Sequence, residues 1–248
     1  MPTLDWEWAT STGGNLTAAQ RRALTAELML RTAPALVPGR IRQAFGRRGA
    51  GRVDLAGLRL PDTALARAAE DEARGTLSDA MLAHSYRTYF FARALAELDR
   101  VDYDDEIGYV ASLLHDMALE SPTPGRCFAV VGGESAHGFA LRHGAPAERA
   151  TAIGAAIAAH LNPDAAANLG DPGGFVSAGA SVDVLGRRLD DLDPSWVDEL
   201  LTRHPRHDFK RHIVGCFTAE AAAVPEGRIH WLNGTGFRQL IKLAPFAE

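Results

Sequence analysis

Apolar residues recur along this chain at helical spacing. In "DEIGYVASLLHDMA", Ile107, Val110, Ala111 and Leu114 follow the i, i+3, i+4, i+7 order that lays one apolar stripe on a helix. No two alternating apolar and polar runs are joined by Asn-Gly or Asp-Gly, so there is no hairpin signal, and the pattern predicts an all-α fold. A first helix is expected over "TAAQRRALTAELMLRTA" with Thr17 as its N-cap. A Gly/Pro/Arg-rich connection follows, then a short helix from Thr63 to Arg74 and a long one capped by Ser78 or Asp79. Further helices are expected from about Tyr103 to Met117, Glu134 to His143, Pro146 to His160, Gly174 to Leu189, Pro194 to Arg203 and His207 to Ala223. The connections "SPTPGR", "LNPDAAANLGDPGG" and "VPEG" separate them. The final stretch, "RIHWLNGTGFRQLIKLAPFAE", reads either as a cover over the bundle or as a partner-binding segment.

Composition narrows the class. The 248 residues, 46% hydrophobic and 23% charged, suffice for one sizeable core. A net charge of -5 argues against a nucleic-acid partner, which needs a field that attracts phosphates, and favours a small-molecule substrate. The arginine-rich loop with Arg40, Arg42, Arg47, Arg48 and Arg52 is interrupted only by Phe45 and reads as solvated. Cys127 and Cys216 form no CxxC pair, which argues against a disulfide scaffold or a zinc ribbon and fits a reducing cytoplasm. The segment "MPTLDWEWATSTGG" lacks the basic and apolar regions of a signal peptide, and no apolar run reaches the roughly 20 residues that span a bilayer, so no membrane partner is expected. A homo-oligomer is left open.

Several chemistry-bearing residues interrupt the apolar faces. His84 shares a helix face with Phe91, Leu95 and Leu98; His115 and Asp116 stand where the Ile107–Leu114 stripe ends; His160 ends a stripe shared with Ile153 and Ile157. Asp183 lies in "GFVSAGASVDVLGRRLDDL", where Gly179 and Gly186 would let another helix approach. Any one of these histidines alone reads as an ordinary core residue. A carboxylate buried beside them with no basic partner in its own segment loses several kcal/mol of hydration, and a divalent cation removes that cost. Imidazole and carboxylate aimed inward from four helices is how bundle metal sites are built.

The order H…HD…H…D, with His84, His115 and Asp116, His160 and Asp183, resembles the HD metal-dependent hydrolase superfamily. The resemblance sharpens with "LPDTALARAAEDEARGTLSDAMLAHSYRTYFFARAL", "ASLLHDMAL", "CFAVVGGESAHGFALRHG", "AAIAAHLNP", "GASVDVLG" and "RHPRHDFKRH", which in order and spacing are similar to the cyanamide-hydratase-like branch from about Leu60 to Pro225. Ala129 follows Phe128 where that branch often carries an acidic residue. The resemblance implies an HD-domain helical bundle over residues 60–225 with a metal site between core helices, flanked by a helical and loop extension over 1–59 and a C-terminal segment over 226–248. It implies His84, His115, Asp116 and Asp183 as metal ligands, with His160 near the metal or a bound substrate. Dinuclear relatives place a further histidine after the HD pair, so His137 together with His160 would complete a second metal site.

Such a ligand set leaves positions open on a divalent ion, which would lower the pKa of a bound water and hold hydroxide against an electrophilic carbon or phosphorus. Resemblance implies zinc or iron, and the donors tolerate manganese, cobalt or nickel. Asp116 and His160 are the expected catalytic groups. Arg87, and Arg187 one turn after Asp183, read either as orienting or anion-binding groups or as ion pairs to a buried carboxylate. The expected activity is hydration or hydrolysis of a small C–N compound. The alternatives are a phosphohydrolase, using Arg203, Arg206, Lys210 and Arg211, a di-iron oxygenase, using His137 and His160, and a binding module without chemistry. His143, His204, His207, His212 and His230 read as surface or capping residues.

Overall fold

Helix starts follow local capping chemistry. The Thr17 side chain accepts from the Gln20 N–H while Gln20 Oε1 accepts from the Thr17 N–H at 2.8 Å, a reciprocal cap that opens α2 (Ala18–Glu27). Thr63 opens α3 (Ala64–Thr76), and Ser78 opens α4 (Asp79–Asp99). Ahead of them Asp5 caps α1 (Trp6–Thr12), a helix with no counterpart in the apolar pattern. The computed structural model describes residues 4–28 and 49–248. The end of the first expected helix lies outside the described residues, as do Arg40, Arg42, Arg47 and Arg48. Arg52 pairs with Asp193 at 3.6 Å.

The remaining helices are α5 (Asp105–Leu114), α6 (Phe128–Arg142), α7 (Ala147–Ala159), α8 (Pro172–Leu185), α9 (Pro194–Arg203), α10 (Phe209–Ala223), α11 (Arg228–Gly234) and α12 (Phe237–Lys242), and there is no strand among the described residues. The fold is all-α. Helix α6 begins earlier than the sequence pattern suggests because Glu220, on α10, accepts the Phe128 N–H at 2.9 Å. That cap comes from a distant residue and leaves no local signature.

Helix α4 is buried on every side from Ala83 to Ala92, with His84, Ser85, Arg87 and Thr88 among its buried side chains. It packs lengthwise on α8, α6 packs on α7, and α5 touches α3, α4, α7 and α8. Leu98, expected on the buried face of α4, is instead 40% exposed. Gly179 permits the α4–α8 contact: a Cβ there would stand 1.9 Å from the Thr88 carbonyl oxygen. Asp183, one turn further along α8, is thereby carried against α4. Gly186 plays a different part from Gly179. It ends α8 in the left-handed conformation at φ 72°, with Pro245 against it.

The C-terminal segment covers the bundle. Trp231 Nε1–H donates to Thr25 Oγ1 at 2.9 Å, and Lys210 Nζ donates to the carbonyls of Ala244 at 2.8 Å and Phe246 at 2.6 Å. Leu16, Leu24 and Val53 from one end and Ile229 and Phe246 from the other join the same apolar core as the central helices. Among the described residues no helix is long and apolar enough to cross a membrane.

Candidate metal centre

Two of the histidines are set by the same local device. His115 and His160 are the C-caps of α5 and α7. The Nδ1–H of each turns back to a carbonyl of its own last turn, Ser112 O at 2.8 Å and Ile157 O at 2.6 Å. A carbonyl oxygen only accepts, so Nδ1 carries the proton in both rings and each Nε2 keeps its lone pair. His84, in mid-helix, reaches the same state differently: its Nδ1–H donates to Asp183 Oδ2 at 2.7 Å. Burial holds the His115 pKa below its ordinary value and pushes that of His160 well below, so both rings are neutral.

These lone pairs converge. His84 Nε2 and His115 Nε2 stand 3.3 Å apart, with Asp116 Oδ2 at 3.6 Å from the first and 3.4 Å from the second. His160 Nε2 faces the other carboxylate oxygen, Asp116 Oδ1, at 3.8 Å. Nitrogen and oxygen donor atoms from three helices thus crowd one point, and all four residues are buried. Such a cluster is costly unless a cation occupies it. His84, His115 and Asp116 offer donor atoms within 4.8 Å of one another and could hold a metal ion.

Asp183 is brought to the cluster but is not one of its converging donors. Both of its oxygens are already engaged. Arg87 grips it with Nε to Oδ1 at 2.9 Å and Nη2 to Oδ2 at 2.8 Å, and Arg206 Nη1 adds a contact to Oδ1 at 2.6 Å. Burial alone would raise the Asp183 pKa; Arg87, His84 and Arg206 outweigh it and hold it far below the usual carboxylate range. The aspartate therefore acts behind His84, fixing its tautomer and ring orientation. Arg87 is fully committed to this task, since its Nη1 donates to the carbonyls of His204 and Pro205 at 3.0 and 2.8 Å. It is the ion-pairing form of the two readings open for it. Phe209 completes the support, stacked on the His84 ring with centroids 4.6 Å apart. Nothing local in the sequence marks Phe209 or Arg206 for this role.

His137 is not brought to the cluster; its ring lies against Trp6 of α1, with centroids 6.2 Å apart. A second group, Glu120, His212 and Cys216, also offers donor atoms within 4.8 Å. Sequence reasoning missed it, although His212 and Cys216 are one helical turn apart. Glu120 accepts from the Ser78 N–H at 3.0 Å and meets His212 Nε2 at 2.7 Å, which gives the pair a role in capping α4.

His84, His115, Asp116 and His160 line a cavity of about 180 Å³ whose other walls are mainly apolar, among them Ile213, Phe217 and Leu232. Fold and site define an all-helical protein with a buried imidazole–carboxylate cluster opening on an apolar cavity. Neither a protein-family model nor a curated protein sequence matches the chain.

Proposed function

We propose that this chain is a metal-dependent hydratase or hydrolase acting on a small C–N compound. The observation that carries the reading is the convergence of the His84 and His115 lone pairs on Asp116 in the wall of an apolar cavity. Those three residues would hold a divalent ion, zinc or iron by resemblance to the HD superfamily, with manganese, cobalt and nickel also compatible with nitrogen and oxygen donors. When bound, the ion would supply Lewis acidity, lowering the pKa of water and polarising the group under attack.

The chain's own residues supply the rest. Asp183, Arg87 and Arg206 keep the His84 ring fixed, so no reorganisation is needed when charge develops. His160, with Nδ1–H tied to Ile157 O, presents only a lone pair towards the cavity and can take the proton that an attacking water gives up. Returned to the nitrogen of the substrate, that proton completes release of an amine, or gives from a nitrile the imidic acid, which becomes the amide when its O–H proton moves to nitrogen. The apolar walls exclude bulk water from competing for these groups.

The four cations between Arg203 and Arg211 that the phosphohydrolase alternative relied on are engaged by other groups. Arg206 is held by Asp183 and Glu248, Lys210 by Glu248 and two carbonyls, Arg203 by Glu199, and Arg211 by Asp208. A second ion at His137 and His160, as a di-iron oxygenase requires, finds no support in a His137 ring turned to Trp6. Incubating metal-loaded protein with cyanamide, simple nitriles and small amides, and measuring urea or ammonia, tests the reading. Phosphate release from phosphomonoesters with none of those products would overturn it.

A further inference from the structure

Two polar side chains in the cavity wall have no partner among the described residues. Ser177, on α8, is 8% exposed and its hydroxyl makes no hydrogen bond to any described residue, whereas Ser181 one turn on donates to Ala178 O at 2.9 Å. Arg187, just past the end of α8, lines the same cavity half-buried, and no described residue hydrogen-bonds or ion-pairs with its guanidinium. Its neighbour Arg188 shows what a satisfied arginine looks like here, pairing with Asp99 at 2.7 Å and Asp191 at 2.8 Å. Arg187 is the one cationic Lys or Arg side chain among the described residues lining the cavity, and no carboxylate but Asp116 lines it.

We propose that the cavity takes a small organic anion, with its apolar body against Ile213, Phe217 and Leu232 and its anionic end, a carboxylate or phosphate, on Arg187. The inference rests on the reading above for the reacting end, where the C–N group would lie near the histidines, and adds the chemistry of the other end. An arginine presents a planar fork of donors that matches an oxyanion in bidentate fashion. Burial, with Arg188 beside it, works against the Arg187 charge, so an arriving anion removes a penalty already present in the folded protein. The size agrees: an apolar cavity of about 150 Å³ accommodates benzene, so one of about 180 Å³ suits a short alkyl or single-ring body. Ser177 is placed to donate to a polar atom along that body.

Calorimetric titration of the metal-loaded protein with hexanoate, hexyl phosphate, hexanamide and hexylamine tests the proposal. None of these needs to react, so the outcome is independent of turnover. The expected result is that hexanoate or hexyl phosphate binds at least about tenfold more tightly than hexanamide or hexylamine, the tighter of the two anions naming the headgroup. Arg187→Gln should abolish that preference, bringing the anions level with hexanamide, and Arg187→Lys should restore part of it. An Arg187→Gln protein that still prefers the anion would place its charge on the metal and overturn the proposal, as would equal binding of all four probes or a preference for the amine. Anion preference through Arg187 without turnover of any nitrile or amide would instead count against the hydratase reading and leave this one standing.

Discussion

Asp183 accepts the Nδ1–H of His84 at 2.7 Å, and that contact turns the opposite ring nitrogen onto His115 Nε2, 3.3 Å away. The aspartate thus determines how the cluster is assembled without offering an atom to it. Its own position is fixed by two guanidinium groups, so the order of causes runs from Arg87 and Arg206 through Asp183 to His84.

His115→Ala and Asp116→Asn should each remove most of the bound divalent metal. Elemental analysis of purified protein, with circular dichroism to show that the fold persists, checks this. Retention of the full metal complement by His115→Ala would falsify the assignment of the centre.

Asp183→Asn should weaken metal binding by roughly 10–100-fold, the usual cost of losing the partner behind a ligating histidine. The same change leaves Arg87 buried without its counter-charge and Arg206 with Glu248 alone, and about 3–5 kcal/mol of stability should go with it. Competition with a chelator reads the first effect and urea unfolding of the chelated protein reads the second.

Gly179→Ala should destabilise by more than the ~1–3 kcal/mol typical of an overpacked core, because the new methyl would meet the Thr88 carbonyl oxygen, a backbone atom, at 1.9 Å, and relief requires the two helices to part. Metal affinity should fall with it, since separating α8 from α4 draws Asp183 away from His84. Thermal melts and metal titration of the same variant test the linkage; normal affinity in a destabilised protein would contradict it.

His204 stacks on Tyr86 with centroids 4.8 Å apart. Burial, then Arg87, Arg203 and Arg74, hold its pKa at about 4, below the ordinary 6.5. Between those values the unfolded chain binds a proton that the folded chain refuses. The contribution is therefore intact above about pH 6.5 and is lost as pH falls towards 4. His204→Phe should flatten the dependence of melting temperature on pH across that window, and proton NMR should find the wild-type imidazole uncharged at pH 5.

Chelation of the wild-type protein should lower its melting temperature, and added zinc should restore it, because an ion bound only by the folded state stabilises by mass action. A melting temperature indifferent to both would mean that the lone pairs of His84 and His115 are satisfied in some other way.

Much of this protein was legible in one dimension. Apolar spacing around Ile107, Val110, Ala111 and Leu114 places α5, and capping residues such as Thr17, Thr63 and Ser78 place the starts of α2, α3 and α4, because helix periodicity and end-capping depend on residues within a few positions of each other. The residues of the centre were also legible: His84, His115, Asp116 and His160 stand out as polar groups on apolar stripes. Their roles were not. Whether Asp183 touches a metal or the back of an imidazole depends on Arg206, more than twenty positions along the chain, and on how closely Gly179 lets α8 approach α4. His137, read in the sequence as a candidate for a second metal site with His160, faces Trp6 because α1, which periodicity does not reveal, packs beside it. Likewise Arg187, without a partner among the described residues, and the fully paired Arg188 are indistinguishable as neighbours in sequence. The chain itself determined which residues carry chemistry and which helices bear them; only the tertiary packing decided which lone pairs meet and which charges are left unanswered, because those outcomes depend on distances between segments that local propensity does not encode.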